Sequence, residues 1–471
     1  MRQTLRRSCA ACAKSKHSCD LFTLRCSRCI KRNVECVYAN EPWRPAPATS
    51  EQDYGQFSAP VERSGPLIGG RLGSFDPFDS YPPTRLRREH VQRLIYNFLH
   101  KIAFQYYPLD LSATSNPFLV SWWPLALGDP ALFHVSLQTA CLDEELLARR
   151  GFQASEILMA DSVALLRRKV ENTSLAVQDG TMNSVITLAL IEFGKGNTKI
   201  GEMHVDGVKK LVDLRGGING VRQTSPLTAR MVSWVSLLIM GYPQFDTQDD
   251  AGMGDGISPI PEWQLDQNTH NDFCNIDVDI DDDVKNVLLR LHGVFQLAQT
   301  IPFPTTRLHD LTCFVVHRLL LSVPTTGVQS TITECIRYSI ILYMLIIHGP
   351  SYYSHAGMLN AMVLRLKDYL QRQESVTPTY NSLDVWCCTI GLVASADTIQ
   401  YDWFLRRVRD MAQTLPLLDC DDALSHVKNA LWLETAQGDT LFRCHWATVF
   451  SQPTTTESLD IACLIPQDSH S

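Results

Sequence analysis

The sequence lacks any apolar run long enough to cross a membrane. Its longest one, residues 339–347, is far shorter than the roughly 20 residues that a spanning helix needs. The start of the chain has no apolar stretch of the kind found in export signals. We therefore expect no membrane segment and no oxidising compartment, so that all 15 cysteines are reduced.

Catalytic motifs are also missing. No Gly-x-Ser-x-Gly turn and no His-Glu-x-x-His pair occur, and Gly-Lys-Gly at 194–196 lacks the spacing of a phosphate loop. The aspartates at 277, 279 and 281 are spaced like a calcium loop, but its sixth position is Asp282 and its twelfth is Leu288. We therefore expect no enzyme.

Strand-like alternation is nearly absent, whereas apolar residues recur at helical spacing from about residue 88. Asp129-Pro130 is typical of a helix start, here through Leu147, and Gly216-Gly217 of a helix end. Further helices are predicted near 155–170, 180–194, 226–240, 283–300, 306–322, 331–347, 356–372, 382–398, 400–414 and 422–437. The predicted fold class is all-α.

Composition divides the chain into a cysteine-rich head (1–38), a disordered Pro/Gly/Ser linker (39–87), a helical regulatory body (88–452) and a tail (453–471). The head carries nine Lys/Arg against two Asp/Glu, a net charge of +7. Because the whole chain carries −8, the remainder carries −15. A basic head on an acidic body indicates a polyanionic partner for the head.

An acidic loop, residues 242–283, interrupts the helical body. Long loops inside a compact domain are uncommon and are usually functional or disordered. The mixture of aspartates and aromatic residues is typical of transactivation segments, and a solvated insertion is an equally good interpretation.

Six cysteines in the head repeat one spacing twice, as Cys-x2-Cys-x6-Cys. They are Cys9, Cys12, Cys19, Cys26, Cys29 and Cys36. Cys-x2-Cys is a common zinc-ligand spacing. Two tetrahedral zinc ions need eight ligand positions, which six thiolates supply only if two of them bridge both metals. The count therefore predicts two Zn²⁺ ions in a binuclear cluster rather than a disulfide knot, and so short a module cannot fold by burial alone.

The head resembles the fungal Zn₂Cys₆ binuclear-cluster DNA-binding domain. This resemblance implies that Cys9 and Cys26 bridge the metals and that Lys16 enters the major groove, typically at CGG triplets. It also implies that Ser15 offers its main-chain carbonyl to the bases.

Two positions depart from the family pattern and weaken the expectation of a standard triplet. Ala13 stands where the family usually has an arginine that anchors a phosphate. Leu24 stands where it usually has proline, so the loop 20–25 is less rigid.

General chemistry agrees with DNA as the partner, because Lys donating to guanine is among the commonest specific base contacts. We expect phosphate contacts from five further side chains and include the neighbouring His17 in the DNA-binding set. The phosphate ligands are Arg6, Arg7, Lys14, Lys31 and Arg32.

The body resembles the fungal-specific transcription factor domain of the second type, which often follows such a cluster. The motifs are Asp129-Pro130-Ala131-Leu132, the series from His204 through Gly207 and Leu211 to Arg215-Gly216-Gly217, and a closing helix around Leu431-Trp432. The resemblance implies a regulatory helical domain without catalysis, nuclear localisation and co-regulators as partners, and hints at control of a metabolic or secondary-metabolite pathway.

Two other functions remain open on sequence grounds. The chain could be a protein-interaction regulator whose zinc cluster is only structural. A metal-storage or copper-sensing thiolate cluster is disfavoured by the single fixed array of six cysteines. Residues 39–87 hold no coiled-coil heptads, so we expect any dimer to form through the helical body.

Overall fold

The computed structural model describes thirteen residues near the N-terminus and most of the chain from residue 81 onward. The described residues are 10–15, 27–32, 34, 81–149, 151–264, 280–301, 303–322, 330–349, 356–373 and 380–451. The chain divides into two compact units, residues 1–74 and 75–471. In the first unit the described residues form two short helices, α1 (Ala10–Lys14) and α2 (Ser27–Arg32).

The second unit is built from helices in its described part. Its first ten are α3 (Arg88–Asn97), α4 (Ala103–Tyr106), α5 (Trp123–Gly128), α6 (Pro130–Leu147), α7 (Gln153–Val170), α8 (Thr173–Ala176), α9 (Asp179–Gly194), α10 (Thr198–Leu214), α11 (Gly217–Thr224) and α12 (Pro226–Met240). Two π-helical turns, Phe98–Ile102 and Phe118–Trp122, precede α4 and α5.

Eight more helices complete the described body. They are α13 (Asp282–Thr300), α14 (Thr305–Leu321), α15 (Thr331–His348), α16 (Ala356–Gln373), α17 (Ser382–Ala394), α18 (Tyr401–Thr414), α19 (Cys420–Ala430) and α20 (Ala436–Phe450). The predicted all-α fold is confirmed.

One hydrophobic core runs through the body. In its first half α9 packs against α6, α7, α10 and α12, and in its second half α15 packs against α14, α16 and α17. By length and composition α15 could cross a membrane, but 78% of it is buried inside the body. It is the central helix of a packed array, and its all-round apolar surface is explained by burial on every side.

Helix ends follow the capping signals in the sequence. The Asp129 carboxylate accepts hydrogen bonds from the backbone N–H groups of Ala131 (3.0 Å) and Leu132 (3.3 Å) at the start of α6. Gly216, with φ of +91°, ends α10 in the left-handed conformation that glycine adopts without strain. Both predicted boundaries are confirmed.

The predicted helix at 422–437 is wrong, because the chain leaves the helical path between α19 and α20. The indole N–H of Trp386 donates to the Leu431 carbonyl (2.9 Å), and the Leu433 N–H donates to the Tyr343 hydroxyl (2.8 Å). Leu431, Trp432 and Leu433 are all buried. Side chains from α15 and α17 thus form hydrogen bonds with backbone groups that would be paired with each other's neighbours in a continuous helix. Trp432 is therefore not part of a closing helix. The predicted helix at 382–398 likewise ends earlier, at Ala394.

The first half of the acidic loop packs against the body. Trp263 is fully buried and donates its indole N–H to Asp250 (2.9 Å), and Arg290 of α13 donates to the Trp263 carbonyl (2.7 Å). Burial alone would raise the pKa of Asp250, but the hydrogen bonds from Trp263 and Asn286 and the charge of Arg290 lower it. The segment around Asp250 and Trp263 is therefore packed against the body rather than freely solvated, and residues 265–279 lie outside the described residues.

Most described cysteines outside the head are small apolar core residues, as expected. Five are buried, namely Cys141, Cys313, Cys335, Cys387 and Cys388. Burial raises the pKa of the Cys387 and Cys388 thiols well above the ordinary value, which disfavours a reactive pair. Cys444 departs from the expectation of reduced cysteines, since it is disulfide-bonded.

Candidate metal centre and nucleic-acid interface

The two short helices of the head repeat one another along the chain. Cys12 is the third residue of α1 and Cys29 is the third residue of α2, so the doubled cysteine spacing becomes a doubled helical turn. Ala10, Ala11 and Ala13 are the strongest helix formers available for α1. Basic side chains close both helices, where they complement the helix dipole.

Cys12 and Cys29 meet at one cleft between these helices. Each is 2% exposed, and both line the cleft, whose volume is about 330 Å³. Two buried thiols on one cleft suit a soft metal, since thiolates are the preferred zinc ligands of structural sites. The described part of the head thus fits the predicted zinc cluster.

The surface of the same two helices is basic. Lys14, Lys31 and Arg32 are exposed, as expected of side chains that contact phosphates. The Ser15 hydroxyl donates to the Ala11 carbonyl (2.8 Å) at the end of α1, so this side chain is engaged with its own helix. That geometry is compatible with a contact from the Ser15 main chain.

Eight predicted site residues lie outside the described residues. They are Arg6, Arg7, Cys9, Lys16, His17, Cys19, Cys26 and Cys36. No group of three metal-ligating side chains occurs within the described part of the chain, because four of the six cysteines fall beyond it.

Arg28 is a site residue that the sequence reasoning missed. It is half-buried beside Cys12 and Cys29 in the cleft, and its Nε is buried with no hydrogen-bond partner among the described residues. A cluster of two Zn²⁺ and six thiolates carries a charge of about −2, so a guanidinium in this cleft offsets it. In the sequence, the position of Arg28 within the second Cys-x2-Cys motif was the feature that could have indicated this role.

In the body, the motif residues that carry the resemblance hold neighbouring helix ends together. A Cβ on Gly180, in the first turn of α9, would lie 1.8 Å from Asp129 Oδ2. Arg215 pairs with Asp179 and donates to the carbonyl of Val177 (3.2 Å). Asp129 and Arg215 therefore line one open cleft as structural residues that join α6, α9 and α10.

A buried ionic centre joins the two halves of the body. Asp310 of α14 accepts two hydrogen bonds from Arg230 of α12 (2.7 and 2.9 Å) and lies 3.5 Å from Arg222. Burial alone would lower the pKa of Arg230, but the hydrogen bonds and charge of Asp310 raise it. The adjoining cavity, about 20 Å³, has room for a water molecule and not for an effector.

Histidines in the body are packed rather than arranged as ligands. His309 and His348 are buried with their ring nitrogens 2.9 Å apart. Burial and the charge of Arg230 lower the pKa of His309 to about 3. Burial also lowers the pKa of His204, which is half-buried on α10, as expected for a packing residue.

Comparison with known protein families identifies both regions. Residues 7–45 match the fungal Zn(2)-Cys(6) binuclear cluster domain, and residues 93–240 match the fungal specific transcription factor domain. No curated protein and no solved structure matches the chain. The second match ends at Met240, the last residue of α12, so the acidic loop and α13–α20 lie beyond it.

Proposed function

Because the chain carries the cluster domain and the regulatory domain of fungal zinc-cluster transcription factors, we propose that it reads specific DNA sites and regulates RNA polymerase II transcription in the nucleus. The observation that carries this proposal is the pair of cysteine-centred helices. They place Cys12 and Cys29 on one cleft and leave Lys14, Lys31 and Arg32 exposed. Buried thiols beneath a basic surface suit a metal-organised module that binds phosphates.

Two bound Zn²⁺ ions would supply the folding free energy of the head. The six cysteine thiolates would hold them, and the family resemblance implies that Cys9 and Cys26 would be the shared ligands. Structural zinc contributes roughly 10–16 kcal/mol per site at neutral pH, more than the apolar residues of so small a unit can provide. Arg28 offsets the negative charge of the cluster from within the cleft.

Base reading rests on Lys16, with a CGG-like triplet as the target. Its ammonium donates to guanine O6 and N7 in the major groove, while Ser15 contributes its main-chain carbonyl. The phosphate ligands Arg6, Arg7, Lys14, Lys31 and Arg32, with His17 beside Lys16, fix the register. The absence of the usual arginine and proline, at Ala13 and Leu24, favours a triplet that differs from the standard one.

The body has a regulatory role and performs no catalysis. Asp129, Asp179 and Arg215 are engaged in holding helix ends, and the buried cavity at Asp310 is too small for an effector. Its surface serves contacts with co-regulators or the transcription machinery. A metabolic or secondary-metabolite pathway is the proposed target.

The full chain loaded with zinc, titrated with CGG-containing and scrambled duplexes over a range of salt, tests the proposal. The five phosphate ligands predict that log affinity falls with log salt at a slope of about −4.5. Lys16→Ala should reduce the preference for CGG about 5- to 100-fold. The matched control Lys31→Ala should weaken binding to both duplexes equally and make the slope shallower by about 0.9.

Chelation of zinc should abolish DNA binding while the tryptophan fluorescence of the body stays unchanged. Eight of the nine tryptophans lie between residues 122 and 446, so this signal reports on the body. A slope near zero with an intact zinc cluster would contradict the proposal and favour the alternative of a protein-interaction regulator.

A further inference from the structure

Helix α10 presents an apolar stripe that no described part of the body covers. Ile200, Met203 and Leu214 are exposed by 43%, 60% and 64%. Gly207 lies between them, and the spacing 200, 203, 207, 210, 214 alternates three and four residues. That is the spacing of the seam of a two-helix coiled coil, here over two heptads.

The other face of α10 is committed to the body. Gly201, Val205 and Val208 are buried where α10 packs against α9 and α12. A Cβ on Gly201 would lie 3.1 Å from the Ala189 carbonyl oxygen, so close packing requires that glycine. The stripe is therefore a second apolar face, separate from the one that anchors the helix.

Gly207 has no such role inside the chain. A Cβ there would meet only Val185 Cγ1, at 4.0 Å, which is an ordinary contact. Glycine in a helix interior nevertheless costs roughly 1 kcal/mol relative to alanine. A glycine that the fold does not need, in the middle of an exposed apolar stripe, permits close approach of another helix.

The stripe is complementary to itself about Gly207. Ile200 and Leu214 each lie seven residues from it, or about 10.5 Å along the helix. A two-fold axis at Gly207 therefore brings Ile200 of one copy against Leu214 of an antiparallel second copy. Met203 then lies over the aliphatic stem of Lys210 from the other copy.

Charges beside the stripe have the same symmetry. Lys199 lies eight residues before Gly207 and Asp213 six after it, and both are exposed on the same flank of α10. In the antiparallel pair each Lys199 comes beside the Asp213 of the other copy, within about two residues of helix rise.

We propose that a second copy of this chain docks on the stripe, so that two molecules pair through antiparallel α10 helices. The interface is isologous, as most homodimer interfaces are. A single helix pair buries less than the roughly 1,600 Å² of a standard interface, so we expect a dissociation constant on the order of 10 µM. Such a pair joins two DNA-binding heads and raises their combined affinity for two neighbouring half-sites.

Sedimentation equilibrium of the zinc-loaded full chain without DNA tests this proposal independently of the proposed function. The wild-type chain should show a monomer–dimer equilibrium. Met203→Glu should raise the dissociation constant at least tenfold, whereas Leu418→Glu, at a residue 84% exposed outside α10, should leave it unchanged. Gly207→Gln should weaken the dimer while the melting temperature stays equal or rises, since a Cβ there meets only Val185 at an ordinary contact distance.

Charge-reversal variants in the same sedimentation experiment give a more specific test. Lys199→Glu alone and Asp213→Lys alone each place like charges together and should weaken the dimer about tenfold. Mixing these two variants restores both opposite-charge pairs and should recover wild-type affinity, as should the doubly substituted chain. A chain that stays monomeric at 100 µM, or a dimer indifferent to the α10 substitutions, would overturn the proposal.

Discussion

Asp310→Asn should destabilise the body more than any surface ion-pair change. The carboxylate is 9% exposed and is the shared partner of Arg230 and Arg222, whose side chains are 19% and 26% exposed. Removing one partner of a buried ion pair costs about 3–5 kcal/mol, because the other charge remains desolvated. The residual exposure of the two guanidinium groups reduces that figure, so we expect a loss of about 2–3 kcal/mol in the free energy of unfolding.

Urea unfolding of the full chain, followed by tryptophan fluorescence, measures this loss as a lower midpoint at an unchanged m-value. Asp368→Asn is the matched control, since Asp368 and Arg372 form an exposed i,i+4 pair and should contribute less than about 0.5 kcal/mol. Combining Asp310→Leu with Arg230→Met should recover part of the stability by replacing charges with apolar groups. An Asp310→Asn midpoint equal to that of the control would refute this account of the ionic centre.

Two further outcomes follow from packing and from buried histidines. Gly391→Ala should lower the free energy of unfolding by about 1–3 kcal/mol, because the new Cβ would lie 2.1 Å from Phe404 Cε1 in the core between α17 and α18. In the same urea assay Gly207→Ala should instead be neutral or stabilising. Lowering the pH from 7.5 to 5 should destabilise the body. Burial lowers the pKa of His309 to about 3 and that of His317 to about 4. The unfolded chain therefore binds protons near pH 6.5 at these two histidines, whereas the folded chain does not. Each histidine should contribute about 2 kcal/mol of this loss at pH 5, and a His317→Phe chain with an unchanged pH dependence would contradict the argument.

Helix positions in the body were largely predictable because they depend on local periodicity and caps. Predicted ends at Asp129 and Gly216 are confirmed, since a carboxylate cap and a left-handed glycine act on the residues beside them. The break at Leu431 was not predictable. Its cause is the indole of Trp386, 45 residues earlier in the chain, which takes the carbonyl that a continuing helix would have used.

In the head, the cysteine spacing alone predicted the metal chemistry, because ligand number and charge follow from counting thiolates. The place of Arg28 in the cleft could not be read in this way. A basic residue beside Cys29 could face solvent, phosphate or metal equally well, and only the packing of α1 against α2 turns it inward.

The sequence by itself determined the all-α class, the two family domains and the candidate ligand set, because these depend on period, composition and spacing within short windows. Tertiary structure decided which part of the acidic loop is packed against the body. In the sequence Asp250 and Trp263 resemble part of an activation segment, but Asn286 of α13 donates to the Asp250 carboxylate and Arg290 of α13 donates to the Trp263 carbonyl. It also decided which apolar face of α10 is core and which is exposed, since both stripes satisfy the same helical period and only the positions of α9 and α12 distinguish them.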